Sequence, residues 1–287
     1  MISGVALVVK PGGPEGPTSH DVVDTVRRAL GTDRVGHLGT LDPFAAGLLV
    51  MVVGRATRLA PLAAAWPKAY EGVIRLGTTT TTDDATGEPV ATSEAWRGSD
   101  AAQVEQVLAR FRGAYDQRPP AYSAVKVAGV RAYRRARRGE TVALPARRVE
   151  VAELALLRYA PPDLAFRARV SGGTYLRGLA RDVGAALGCG AHLATLTRTA
   201  VGPYQLGEAV APEAVTRQGL RDPAELVADL PRRELDEAGR AAVMHGRPVP
   251  AGKGEEGRVA LFAAGQLVAV AERVGELLKP RVVVADE

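Results

Sequence analysis

The chain has 287 residues, 46% of them hydrophobic, with a single cysteine at Cys189. This length supports one sizeable core plus a smaller module, while the lone cysteine excludes an intramolecular disulfide and a cysteine-based zinc site. The net charge of +5 and a pI near 9.5 point to a polyanionic partner, and lysine occurs only at Lys10, Lys68, Lys126, Lys253 and Lys279, so the basic residues are nearly all arginine. Arginine suits bidentate phosphate contacts and stacking on bases, although an Ala, Arg and Gly bias is also what a GC-rich genome produces.

Met1 to Lys10 lacks the basic segment and apolar run of a signal peptide, and no stretch reaches the ~18 apolar residues of a membrane span. A cytoplasmic protein with no membrane partner is expected. Gly4 to Val9 reads as a strand closed by Lys10-Pro11-Gly12. Thr18 and Asp21 have capping-box spacing ahead of a helix with Val22, Val23 and Val26 on one face and Gly31 as its stop. Gly36 to Pro43 is too rich in Gly and Pro for a regular element, and Gly47 to Val53 is a fully apolar strand.

Arg55 to Ala65 has helical composition. Tyr70, Gly72, Ile74 and Leu76 share one side of a strand, and Thr78 to Gly87 reads as a loop or long turn. Asp100 to Phe111 is predicted as a helix. Arg131, Arg134, Arg135, Arg137 and Arg138 are placed on a helix ending at Gly139, denser in cations than i,i+4 pairing needs. Leu164, Phe166, Ala168 and Val170 alternate with Arg167 and Arg169 as a strand with one core face and one basic face. Thr174 to Leu187 is an amphipathic helix ending at Gly188. A composition shift after Pro203 puts a domain boundary near Arg233, followed by short apolar runs at Val259 to Phe262, Leu267 to Val270 and Val282 to Val284, a small β-rich module.

On spacing alone Asp42 is an Asp-Pro turn initiator. The wider segment, Gly36-His37-Leu38-Gly39-Thr40-Leu41-Asp42-Pro43-Phe44-Ala45-Ala46-Gly47-Leu48-Leu49, closely resembles the aspartate motif of the TruB family of bacterial tRNA pseudouridine 55 synthases, with Leu38 and Ala46 standing where that family usually has Thr. Lys10-Pro11-Gly12 with Thr18-Ser19-His20-Asp21 is similar to the family's opening motif, with extra residues at Gly13 to Gly16. Lys68-Ala69-Tyr70-Glu71 resembles its tyrosine motif, Gln117 to Lys126 a segment of its RNA-gripping insertion, and Gly173-Thr174-Tyr175-Leu176-Arg177 its arginine motif. The similarity spans Gly4 to Gly202.

The resemblance implies an α+β chain: a pseudouridine synthase fold whose mixed, largely antiparallel central sheet is flanked by helices, over residues 1–233 with the insertion at about 115–140, and a small C-terminal PUA-like domain at 234–287. It implies Asp42 as the catalytic carboxylate, Arg177 as its charge partner and Tyr70 against the target uracil. Tyr175 and Leu196 become walls of the base pocket and His37 stacks where a nucleotide is extruded. Tyr122, Lys126, Arg134 and Arg138 belong to the RNA grip. The implied substrate is the T-arm stem-loop of tRNA, engaged by a monomer without guide RNA, metal or cofactor. On position alone Arg177 reads as a surface arginine near the start of its helix, where the macrodipole mildly disfavours a cation and a carboxylate partner would offset that. His37 has no second ligand at zinc spacing. Two other readings stay open: an RNA-binding protein without catalysis, and a guide-RNA-dependent relative.

Overall fold

The computed structural model describes residues 2–122, 126–127, 130–131, 138, 140 and 144–285. Strand β1 (Gly4–Lys10) leads into helix α1 (Ser19–Leu30), whose predicted capping box is present: the Thr18 hydroxyl accepts from the Asp21 amide and Gly31 closes the helix in the left-handed conformation. After β2 (Val35–His37) comes β3 (Ala46–Val53), which pairs with both β1 and β2. The segment predicted as a helix from Arg55 is a 3₁₀ turn, Gly54–Leu59, followed by the short α2 (Ala60–Ala63). Pro61 explains the break, because its ring cannot sit inside a continuous helix.

Strand β4 (Lys68–Leu76) is followed not by an irregular loop alone but by a small hairpin of β5 (Thr78–Thr80) and β6 (Pro89–Thr92). Helix α3 (Ala101–Ala109) starts at a reciprocal cap between Asp100 and Gln103, and β7 (Gly113–Gln117) follows. In the predicted arginine-rich helix, Val130–Arg131 is instead a strand, β9, paired with β8 (Lys126–Val127), and Arg138 is an exposed turn residue. Arg134, Arg135 and Arg137 lie outside the described residues.

Long β10 (Arg147–Ala160) pairs with β11 (Asp163–Val170), which buries Leu164, Phe166, Ala168 and Val170 and exposes Arg167 and Arg169 as the alternation predicts. Helix α4 (Leu176–Ala186), β12 (Ala191–Val201) and the two-residue β13 (Tyr204–Gln205) complete the large sheet. Among the described residues it has nine strands, with a main path β1-β3-β12-β4-β11-β10-β7. Every pairing is antiparallel except β12 with β3, at Thr197 opposite Ala46 and Arg198 opposite Gly47. The sheet is therefore mixed and largely antiparallel, as expected. One core lies between it and α3 and α4, and another packs α1 on β1 and β3.

A second sheet of five strands, β14 (Arg232–Glu234), β15 (Val249–Pro250), β16 (Arg258–Ala263), β17 (Gln266–Val274) and β18 (Leu277–Val283), has α5 (Glu237–Met244) against it. It is not free-standing. Ala260, Phe262, Leu267, Val270 and Val284 join Val5, Leu7, Leu48, Ala56 and Leu59 in one continuous apolar cluster. Arg58 donates to the Val283 carbonyl at 2.7 Å and Arg55 to that of Ala285.

Candidate active site

The Asp42 loop hangs between two glycines in left-handed conformations, Gly39 (φ 104°) and Gly47 (φ 110°). A Cβ on Gly47 would lie 2.3 Å from the Arg198 carbonyl oxygen, so no other residue fits where β3 meets β12. Beneath the loop lie buried polar side chains. The Lys10 ammonium, wholly buried, donates its three protons to the carbonyls of Pro11 (2.9 Å), Pro43 (2.8 Å) and Ala45 (2.7 Å). The Ser19 hydroxyl accepts from the Leu41 amide at 2.9 Å and donates to the Leu41 carbonyl at 3.0 Å. Arg198 reaches the carbonyls of Leu48 (2.8 Å), Gly39 (3.0 Å) and Thr40 (3.5 Å). Burial brings the Lys10 pKa down to about 8, against the pull of Asp42, and burial with the nearby Arg198 charge does the same to Lys68.

With its backbone held from below, Asp42 presents its carboxylate to Arg177. The Arg177 Nη2 donates to Oδ1 at 3.2 Å, while Nε lies 2.8 Å from Oδ2 with its N–H off the oxygen, an ionic contact rather than a directed hydrogen bond. The arginine side chain is 6% exposed and the aspartate side chain 37%, so the cation forms the floor and the carboxylate the accessible surface. Asp42 is nonetheless recessed among protein atoms, and that desolvation raises its pKa; Arg177 opposes the rise and the Asp84 charge adds to it.

Arg177 is held on its other sides by the carbonyls of Thr82 and Tyr122, both at 2.8 Å, and by the Asp84 carboxylate 3.4 Å from Nη1. The macrodipole conflict anticipated for a cation at the start of α4 is thus met by two carboxylates and two carbonyls. Asp84 is buried and fully engaged: its Oδ1 accepts from the Thr82 hydroxyl, the Thr86 hydroxyl and the Thr86 amide at 2.6–3.0 Å. One turn along α4, Arg181 pairs with Asp83 at 3.1 Å and donates to the Arg118 carbonyl at 2.8 Å. Gln117, buried at the end of β7, closes the helix start by exchanging hydrogen bonds with both backbone groups of Tyr175.

Tyr70 and Leu196 are buried in the same core as Leu41 and Phe44, the apolar residues that flank Asp42. Tyr70 stands on one rung of the sheet with Ala168, Arg198 and Gly47, two strand spacings or ~10 Å from the loop's end. Tyr175 is half-buried at the cap of α4, and Tyr122 is half-buried with its carbonyl on Arg177. His37 is half-buried at the end of β2, and burial followed by the Arg198 charge lowers its pKa, which favours a neutral ring. Lys126 is in β8, Arg138 is exposed and Arg134 lies outside the described residues. Asp84 and Arg198 were missed by sequence reasoning. A signal existed for Asp84, a carboxylate pair inside a threonine-rich turn; none existed for Arg198, one arginine among many.

Among the described residues no three His, Cys, Asp or Glu side chains converge as a metal site, and no helix is long and apolar enough to cross a membrane. The TruB family pseudouridylate synthase N-terminal domain model matches residues 27–176, and the tRNA pseudouridylate synthase B C-terminal domain model matches 177–237. The chain is 47% identical over 296 residues to tRNA pseudouridine synthase B of Thermobifida fusca (strain YX), covering 99% of each. It is 40% identical over 294 residues to the protein of that name from Azoarcus sp. (strain BH72), covering 100% of this chain and 96% of the relative. Among solved structures, a Cbf5-Nop10-Gar1 complex aligns with a TM-score of 0.74 at 26% identity over 98% of this chain and 85% of that one. An H/ACA RNP bound to a substrate RNA containing 2'-deoxyuridine aligns with a TM-score of 0.73 at 24% identity, covering 99% and 85%. The fold is that of the pseudouridine synthases, and the chain belongs to the TruB family of pseudouridylate synthases.

Proposed function

We propose that this chain converts uridine to pseudouridine at position 55 in the T loop of tRNA, with Asp42 as the carboxylate that meets the target nucleotide. The observation that carries the reading is the accessible Asp42 carboxylate backed by a buried Arg177 that is itself held on four sides. A uridine stacked in a folded loop cannot reach a recessed carboxylate, so it must be flipped out, and contacts in the pocket offset the unstacking. The N1–C1′ bond then breaks, the uracil turns, and a C5–C1′ bond forms; C5 loses a proton and N1 gains one, with no net oxidation. Attack on the sugar, addition to the base and removal of a ribose proton all require Asp42 to be ionised. The permanently charged Arg177 favours that state against the pull of burial.

In this reading Tyr70 faces the extruded uracil, Tyr175 and Leu196 wall the pocket, and a neutral His37 stacks in the gap left in the RNA. Residues 1–233 carry the chemistry. The PUA-like sheet of 234–287 adds RNA contacts, its first strand straddling that boundary. The insertion around Tyr122, Lys126, Arg134 and Arg138 grips the backbone of a T-arm stem-loop, and no guide RNA takes part.

The test is to treat an unmodified tRNA transcript and a bare T-arm stem-loop with the protein and map pseudouridine. Product at position 55 in both is expected. No product in either overturns the proposal, and product only when a guide RNA is added moves the chain to the guided class.

A further inference from the structure

We propose that Arg198 and Ser19 are positioning residues that set where Asp42 stands, an inference that rests on the catalytic reading of Asp42. Arg198 is 1% exposed and donates to three backbone carbonyls, two of them in the Asp42 loop; among the described residues no carboxylate lies within ion-pairing distance of it. Burying a guanidinium this way is expensive compared with an apolar filling of the same volume. The return on that burial is geometric. A planar fork that reaches Gly39, Thr40 and Leu48 spans the loop's entrance and the strand beyond its exit, and it does so from the rung that also carries Tyr70.

Ser19, 3% exposed, grips the loop from α1 by both polar groups of Leu41, the residue immediately before Asp42. Neither side chain is accessible to RNA. Both hold the backbone of the loop whose Asp42 side chain pairs with Arg177, and Arg198→Lys keeps the charge that His37 and Lys68 feel while losing the fork.

Single-turnover pseudouridine formation on a T-arm stem-loop, with enzyme in excess, separates positioning from simple folding because it yields a rate constant and an amplitude. Arg198→Lys keeps the charge and loses the fork; a displacement of the carboxylate near 1 Å predicts a rate constant lower on the order of a hundredfold, with full amplitude and RNA affinity within about twofold of wild type. Ser19→Ala loses the weaker grip and is expected to fall about tenfold with the same signature. A wild-type rate constant in both variants overturns the proposal, as does a reduced amplitude at the wild-type rate constant, which marks a misfolded fraction only. If Arg198→Lys does not fold, Ser19→Ala decides alone by the same two criteria. A wild-type protein that makes no pseudouridine fails the functional reading itself, an outcome distinct from either.

Discussion

Around Asp42 the charged residues Lys10, Asp84, Arg177 and Arg198 are all buried. Pairs on the C-terminal sheet such as Arg232–Glu234 at 3.3 Å and Arg281–Glu272 at 2.9 Å lie outside, with every one of these side chains about half exposed. The residue types are similar and the consequences differ. A surface pair exchanges water for a partner at little gain, typically about 0–1 kcal/mol. A buried one constrains position, and removing one member leaves an uncompensated charge, at about 3–5 kcal/mol. The protein has concentrated its buried charges around Asp42.

The sharpest way to test this contrast is at its centre. Asp42→Asn, which preserves shape, is expected to bind tRNA and form no pseudouridine; full activity in that variant ends the assignment. Next in size is Arg177→Met, which leaves the buried Asp84 carboxylate without its cation and is expected to lower stability by about 3–5 kcal/mol in a denaturant titration. A loss below about 1 kcal/mol would put this network in the same class as the surface pairs. Arg177→Lys keeps a charge but loses the fork. Because Arg177 lowers the Asp42 pKa that burial raises, weakening it moves the carboxylate upward, and the acid limb of the single-turnover rate shifts to higher pH.

Lys10 gives a smaller, pH-controlled effect. Its pKa of about 8 means that one of its three donors is lost as the pH rises through that value, so the rate is expected to fall above pH 8. Stability should not fall with it. The folded pKa lies below the unfolded one, so the folded state releases the proton first, and this group's contribution to stability rises with pH between about 8 and the unfolded value. Parallel rate and melting profiles check both signs. The smallest effect belongs to the C-terminal sheet, where Arg281→Ala should change stability by less than about 1 kcal/mol.

Much of this was legible in the chain. Thr18, Asp21 and Gly31 set the ends of α1 by local chemistry, and the 164–170 alternation gave β11 and its faces, because caps and period-two patterns are written in adjacent residues. The motif resemblance pointed to Asp42 and Arg177 as a pair, which the structure brings together, and the helix dipole gave a mild independent reason for a carboxylate beside Arg177. Strands β10 and β12 went unread. Both carry β-bulges, at Val151/Glu153 and Leu156/Arg158 and at Leu193/Thr195 and Arg198/Ala200, and each bulge resets the alternation by which a strand is recognised. The burial of Lys10 and Arg198 was invisible for another reason. Composition assigns lysine and arginine to the surface, and only the long-range pairing of β3 with β12 shows Arg198 beneath the loop.

The apolar cluster shared by the two sheets bears on how this chain can be cut and recombined. Phe262, Leu267, Val270 and Val284 pack with Ala56 and Leu59, and the Arg55 and Arg58 side chains tie the same short segment to the end of β18. A truncation before Glu234 would leave an oily scar on the large sheet rather than a trimmed enzyme. A chimaera that borrows this sheet from a relative must bring a matching Gly54–Ala63 segment with it. The two lobes are one packed body at this seam.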